Sequence, residues 1–117
     1  MSQSRPDLVA INATLSGDIN KLKTLIESSD ASINYHDIFT AAVKNNKNEI
    51  IYWMMRNVMT TQLYPMGRLD AAVVAGVIAN YGTQMHIDWL SALYSGHISG
   101  LMRPEVINIA KKRNLVI

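Results

Sequence analysis

The sequence predicts an all-α protein: a short solenoid of about seven helices, stacked as antiparallel pairs in one domain spanning residues 1–117. Three observations predict it. A complete helix-turn-helix unit occupies Asn34 to Asn57. Its turn residue recurs along the chain, with Gly17, Asn46, Gly82 and Asn114 separated by successive differences of 29, 36 and 32 positions, all residue types that accept the left-handed backbone of a helix end. Around each turn the same residue classes return: Ala13, Ala42, Ile78 and Ala110 lie four positions before it, Leu22, Ile51 and Ile87 five after, and Leu25, Met54 and Leu90 eight after. A compact bundle of six or seven helices satisfies the same pattern.

Ser4 is placed to cap a first helix that admits Pro6 in its opening turn and runs to Ser16, where Gly17 ends it. Asp18 then caps a second helix to about Ser28, and the polar stretch to Ser32 leads into the central unit. There Ile38, Phe39, Ala42 and Val43 share one face of a first helix, with Asp37 available as its N-cap. After the polar turn Lys44 to Asn48, a second apolar stripe follows in Ile50, Ile51, Met54, Met55 and Val58. Glu49 lies in its positive first turn. Neither helix is long enough to be stable alone, so the pair needs neighbours over its remaining apolar surface. Trp53 and Trp89 hold equivalent positions and are expected to cover the seams between units.

Beyond Met59, Pro65 and Gly67 break helices and predict the longest connection. The helix from Leu69 to Asn80 is apolar almost all round, which predicts burial on all sides, either at the centre of the domain or in part by another chain. The next runs from a Thr83 cap to about Ser95. His97 to Arg103 forms a loop, and the last helix opens at Pro104 with Glu105 in its first turn and Lys111, Lys112 and Arg113 at its C-terminal end. Leu115, Val116 and Ile117 form an apolar tail, expected either to fold into the last groove or to dock on another chain.

The segments Gly17 to Glu27 and Asn46 to Arg56 resemble the second-helix signature of the ankyrin repeat family in a divergent form of the kind common in large DNA viruses and intracellular bacteria. Ala13, Ala42 and Ala110 match the alanine of that family's first helix. The resemblance spans nearly the whole chain, about three and a half repeats. The family's Thr-Pro-Leu-His opening is absent, its places being taken by Leu8 to Ile11, Asp37 to Thr40, Val73 to Gly76 and Glu105 to Asn108. Without those inter-repeat hydrogen bonds, the projecting hairpins are expected to be irregular or reduced to loops.

Composition narrows the function. No cysteine is present, which removes thiol nucleophiles, disulfides and thiolate metal sites. His36, His86 and His97 share no local metal-ligand spacing. His86 is expected to be solvated beside Asp88, and His36 and His97 to lie in loops. No glycine-rich phosphate loop, paired carboxylates or nucleophile elbow stands out. The expectation is a protein without enzymatic activity, cofactor or metal. A net charge of +2 is small, and the candidate recognition helix Thr83 to Tyr94 carries no Lys or Arg, which argues against nucleic-acid binding. No signal peptide and no long apolar run stand out, so the chain is expected to be soluble and intracellular, in the cytoplasm or, if viral, in a virion or the host cytosol.

What remains is a protein-interaction module on a rigid helical scaffold, or a small structural subunit of a large assembly. The ankyrin resemblance implies a protein partner at the loops and on the concave face of the first helices. By position, these residues are Asn34, Tyr35 and His36, then Gln62, Leu63, Tyr64 and Met66, then His97, Leu101, Met102 and Arg103.

Overall fold

Three of the four turns close by the same pair of hydrogen bonds. In the computed structural model, which describes residues 6–28, 33–60, 68–94 and 98–117, Gly17, Asn46 and Asn114 all have positive φ, at 77°, 53° and 62°. The N–H of each following residue, Asp18, Lys47 and Leu115, donates to the carbonyl of Ala13, Ala42 or Ala110 at 2.8, 2.9 and 2.9 Å. The N–H of the positive-φ residue itself reaches one residue further on, to Thr14, Val43 or Lys111. This is the Schellman arrangement, which satisfies carbonyls that a helix end leaves without partners. The three alanines that accept these bonds are buried at 0–3% exposure, so the turn is fixed where the chain packs most closely.

The elements are α1 (Pro6–Ser16), α2 (Ile19–Glu27), α3 (Tyr35–Lys44), α4 (Asn48–Asn57), α5 (Ala71–Tyr81), α6 (Gln84–Leu93), a 3-10 turn (Ile98–Leu101) and α7 (Pro104–Lys112). Among the described residues there is no strand, only a single bridge between Met59 and Leu69. The protein is all-helical. Asp18 caps α2 by accepting from the Lys21 N–H at 3.1 Å. The cap of α3 is Asn34, which accepts from the Asp37 N–H at 3.1 Å. The sequence suggests Asp37 for this role, but the cap lies three residues earlier and the helix buries Tyr35 in its first turn, which places Asp37 inside the positive end.

The first helix of each pair packs on the next: α1 on α3, α3 on α5, α5 on α7. Each second helix lies against its own first helix, α2 on α1, α4 on α3 and α6 on α5, and α4 also packs on α6. The shared core includes Leu22, Phe39, Ile51, Met54, Ile78, Ile87 and Leu90, all at 0–1% exposure. Of the six aligned second-helix positions, Leu22, Ile51, Ile87, Leu25, Met54 and Leu90, Leu25 alone stays half-buried, at the edge of this core. Trp89 covers the α4–α6 seam, with its ring edge-on to Tyr52 at 5.2 Å. Trp53 faces the other way and takes the Lys23 ammonium at 5.6 Å.

The third turn departs from the pattern. Gly82 is extended, with φ −84° and ψ −171°, rather than left-handed. A Cβ there would lie 2.9 Å from the Ile78 carbonyl oxygen, so close approach, not φ, demands glycine. The open carbonyls at the end of α5 are met from outside. Arg113 donates to Ile78, Ala79 and Gly82 at 3.3, 2.8 and 2.8 Å. The guanidinium that the sequence assigned to the dipole of its own helix therefore serves the neighbouring one.

α5 meets its expectation only in part. It is central, yet Ala72, Val73, Gly76 and Asn80 keep one face open, because α3, α6 and α7 cover only the remainder. The tail after α7 is tied down through its backbone: Gln84 accepts from the Val116 N–H at 2.8 Å and donates to the Val116 carbonyl at 2.9 Å. The Val116 side chain remains 73% exposed.

Candidate functional site

The open face of α5 meets the open face of α3 in a groove. On α3, His36, Thr40 and Lys44 recur every four residues and so form one stripe. Opposite them α5 presents Val73, Gly76, Val77, Asn80 and Tyr81. Two adjoining depressions, of about 500 and 380 Å³, share His36 and Val73 and run along this seam. The first is bounded by the N-terminal residues of both helices, and Lys44 meets Tyr81 at the other end, so α3 and α5 point the same way.

Each end is held by a cation on an aromatic ring. The Lys44 ammonium lies 4.5 Å from the centroid of Tyr81, an arrangement that steadies both side chains without burying the charge. At the opposite end Arg68 donates to the Tyr35 hydroxyl at 2.9 Å. Between them the floor is aliphatic, and the walls carry a hydroxyl, an imidazole and an amide. Thr40 donates to the His36 carbonyl at 2.8 Å and Asn80 to that of Gly76 at 2.8 Å, which leaves their remaining hydrogen-bonding capacity directed outward.

Gly76 sits mid-helix with nothing within 4 Å of where its Cβ would be. Packing does not call for glycine here, and in a helix interior glycine costs about 1 kcal/mol relative to alanine. Its structural effect is to lower the floor of the groove. Gly76→Ala is accordingly expected to stabilise the fold by about 0.4–1 kcal/mol, seen as a raised midpoint in urea unfolding with unchanged slope.

No protein-family model matches the chain, and no curated protein or solved structure does either.

Of the positions nominated from the sequence, Asn34 and His36 lie at the mouth of the groove, with Asn34 also occupied as the α3 cap. His36 is in the first turn of α3, not in a loop. Tyr35 and Met102 turn inward and are 9% and 7% exposed, Leu101 is half-buried, and Arg103 is exposed at the start of α7. Gln62, Leu63, Tyr64, Met66 and His97 lie outside the described residues. Leu101, Met102 and Arg103 do not line the depressions on α3 and α5. Thr40, Val73, Gly76, Val77, Asn80 and Tyr81 were not nominated, although one signal pointed to them: a glycine inside an otherwise apolar helix.

His86 is a further correction. It is fully buried, because its side chain turns back to complete a capping box at the start of α6 instead of facing water beside Asp88. Its Nδ1 accepts from the Thr83 N–H at 3.0 Å, and its Nε2 faces Asn48 Oδ1, at the start of α4, at 2.9 Å. Burial holds its pKa below the ordinary 6.5. Among the described residues, no three His, Asp or Glu side chains are grouped to hold a metal ion.

Proposed function

We propose that this chain is a non-enzymatic protein-interaction module of ankyrin-like construction, with the groove between α3 and α5 as its binding face. The observation that carries the reading is the open face of a central, otherwise buried helix, lowered at Gly76 and lined by aliphatic and hydrogen-bonding side chains. A groove of this kind suits an extended segment or helix edge of another polypeptide: the aliphatic floor supplies burial and the polar walls fix register. The row of first helices and the thrice-repeated Schellman turn support the ankyrin-like part. Because the walls stand on packed helices, little ordering is needed on this side of the contact.

The test compares Gly76→Ala with Gly76→Leu. Nothing lies within 4 Å of a Cβ built at Gly76, and the residue lines an open depression, so both variants are expected to stay folded by circular dichroism and urea unfolding. The leucine fills the groove and is expected to weaken capture of the wild-type partner more than tenfold, while alanine retains it. Equal capture by the two folded variants would remove the groove from the account.

A second reading, a small subunit of a larger assembly, is favoured by the apolar side chains at the two ends of the row. Leu8 and Leu15 on α1 are 50% and 44% exposed, and Val116 follows α7 at 73%. Such a subunit is expected to lose binding when these residues are made polar and to be indifferent to Gly76→Leu.

Neither reading involves a membrane-spanning element: among the described residues no helix is long and apolar enough to cross a membrane.

A further inference from the structure

The ring of His86 is the side-chain link between the start of α6 and the start of α4, and it fits in one protonation state. Nδ1 receives the Thr83 N–H at 3.0 Å, so it must present a lone pair. Nε2 then carries the proton and donates to Asn48 Oδ1 at 2.9 Å. Trp89 closes the site with its ring edge-on to the imidazole at 5.4 Å, and the buried histidine has no access to water. A proton added at Nδ1 would point at the Thr83 N–H, setting donor against donor. Thr83 Oγ1 lies 3.3 Å away and can take that proton, but the Thr83 N–H then loses its acceptor and α6 loses half of its capping box.

The surroundings oppose the charge as well. His86 is the third residue of α6 and Asn48 the first of α4, so the positive ends of both helices face the ring. From α4, Asn48 offers a neutral amide, Lys47 precedes it, and Glu49 is exposed. On α6 itself, the Asp88 carboxylate accepts from Gln84 at 3.1 Å. From the α5 and α7 side, the Arg113 guanidinium sits on the Gly82 carbonyl, one residue before Thr83.

We infer that the α4–α6 seam is an acid-opened latch: neutral His86 holds the two helix starts together, and protonated His86 releases them. The lowered His86 pKa fixes the sign. Well above 6.5 the ring is neutral whether the chain is folded or unfolded, and stability from this source is constant. As pH falls below 6.5 the unfolded chain takes the proton first, so the unfolded-to-folded ratio rises by up to about tenfold per pH unit until the folded ring protonates too.

The deciding comparison is urea unfolding of the wild-type chain and His86→Gln between pH 7.5 and 5. Glutamine at this helix position preserves a capping box but does not titrate. The wild type is expected to lose several-fold to about 30-fold more in its folding equilibrium over that range than the variant does. Amide exchange should accelerate selectively in the first turns of α4 and α6. Equal pH dependence in both proteins would overturn the latch. If His86→Gln does not fold, imidazole nitrogen shifts of the wild type decide. Protonation of His86 below 6.5 that coincides with lost protection in α6 supports the proposal, and protonation at or above 6.5 with protection retained overturns it.

Discussion

Phe39→Ala is expected to cost about 3–5 kcal/mol, the largest effect of any single substitution proposed for this chain. Phe39 is fully buried in α3, and α3 is the helix that touches α1, α4 and α5 together. Removing the ring deletes its transfer free energy and leaves a cavity among three backbones already fixed by Schellman turns and caps, so the site cannot collapse to refill it. A domain of this size has a total stability of about 5–15 kcal/mol, and the loss would consume much of it. Urea unfolding should show a lower midpoint with the slope retained. Leu8→Ala, on the half-exposed outer face of α1, is the contrast and is expected to stay within about 0.5 kcal/mol.

Arg113→Ala is expected to cost about 1.5–3 kcal/mol, the range for charge-assisted hydrogen bonds. α5 ends without the Schellman bonds that close α1, α3 and α7, and Arg113 supplies the replacement at three carbonyls. Its loss strands acceptors at Ala79 and Gly82, both buried, while the Ile78 carbonyl keeps the Gly82 N–H at 2.8 Å. Arg113→Lys should recover only part of the loss, since an ammonium is a point donor and cannot span the fork. Amide exchange should locate the damage at the end of α5 and in the Gly82–Thr83 turn, with α1 and α2 unaffected.

These two sites mark what the sequence could and could not convey. Helix positions, the turns at Gly17 and Asn46, the Asp18 cap and most of the core were legible, because they depend on neighbours within about five residues and on apolar spacing. Arg113 was not, because it acts on residues more than thirty positions away. Gly82 looked like its aligned counterparts, yet it is extended where they are left-handed, and the approach of Ile78, only four positions away, follows from that backbone course and not from the residue type. His86 was misplaced for the reason that applies to Arg113: its partner Asn48 lies on another helix, and spacing alone cannot distinguish a buried capping imidazole from a solvated one.

The candidate face shows the same division. In the sequence the candidate positions rest on the ankyrin resemblance alone, which implies loops and first helices alike. Which first-helix residues remain uncovered depends on how far α6 and α7 reach around α5, a tertiary quantity. The apolar sequence of α5 indicated complete burial, whereas helix packing leaves the strip through Val73 and Gly76 open.

The most direct test of the interaction face is site-specific photocross-linking in the native source, with the photoreactive residue placed at Thr40 in the groove or at Asp88, exposed on α6. The account predicts one defined polypeptide adduct from position 40, absent from position 88 and lost when Gly76→Leu is added. Adducts that form equally from both positions, or that persist from position 40 in the folded Gly76→Leu background, would contradict it.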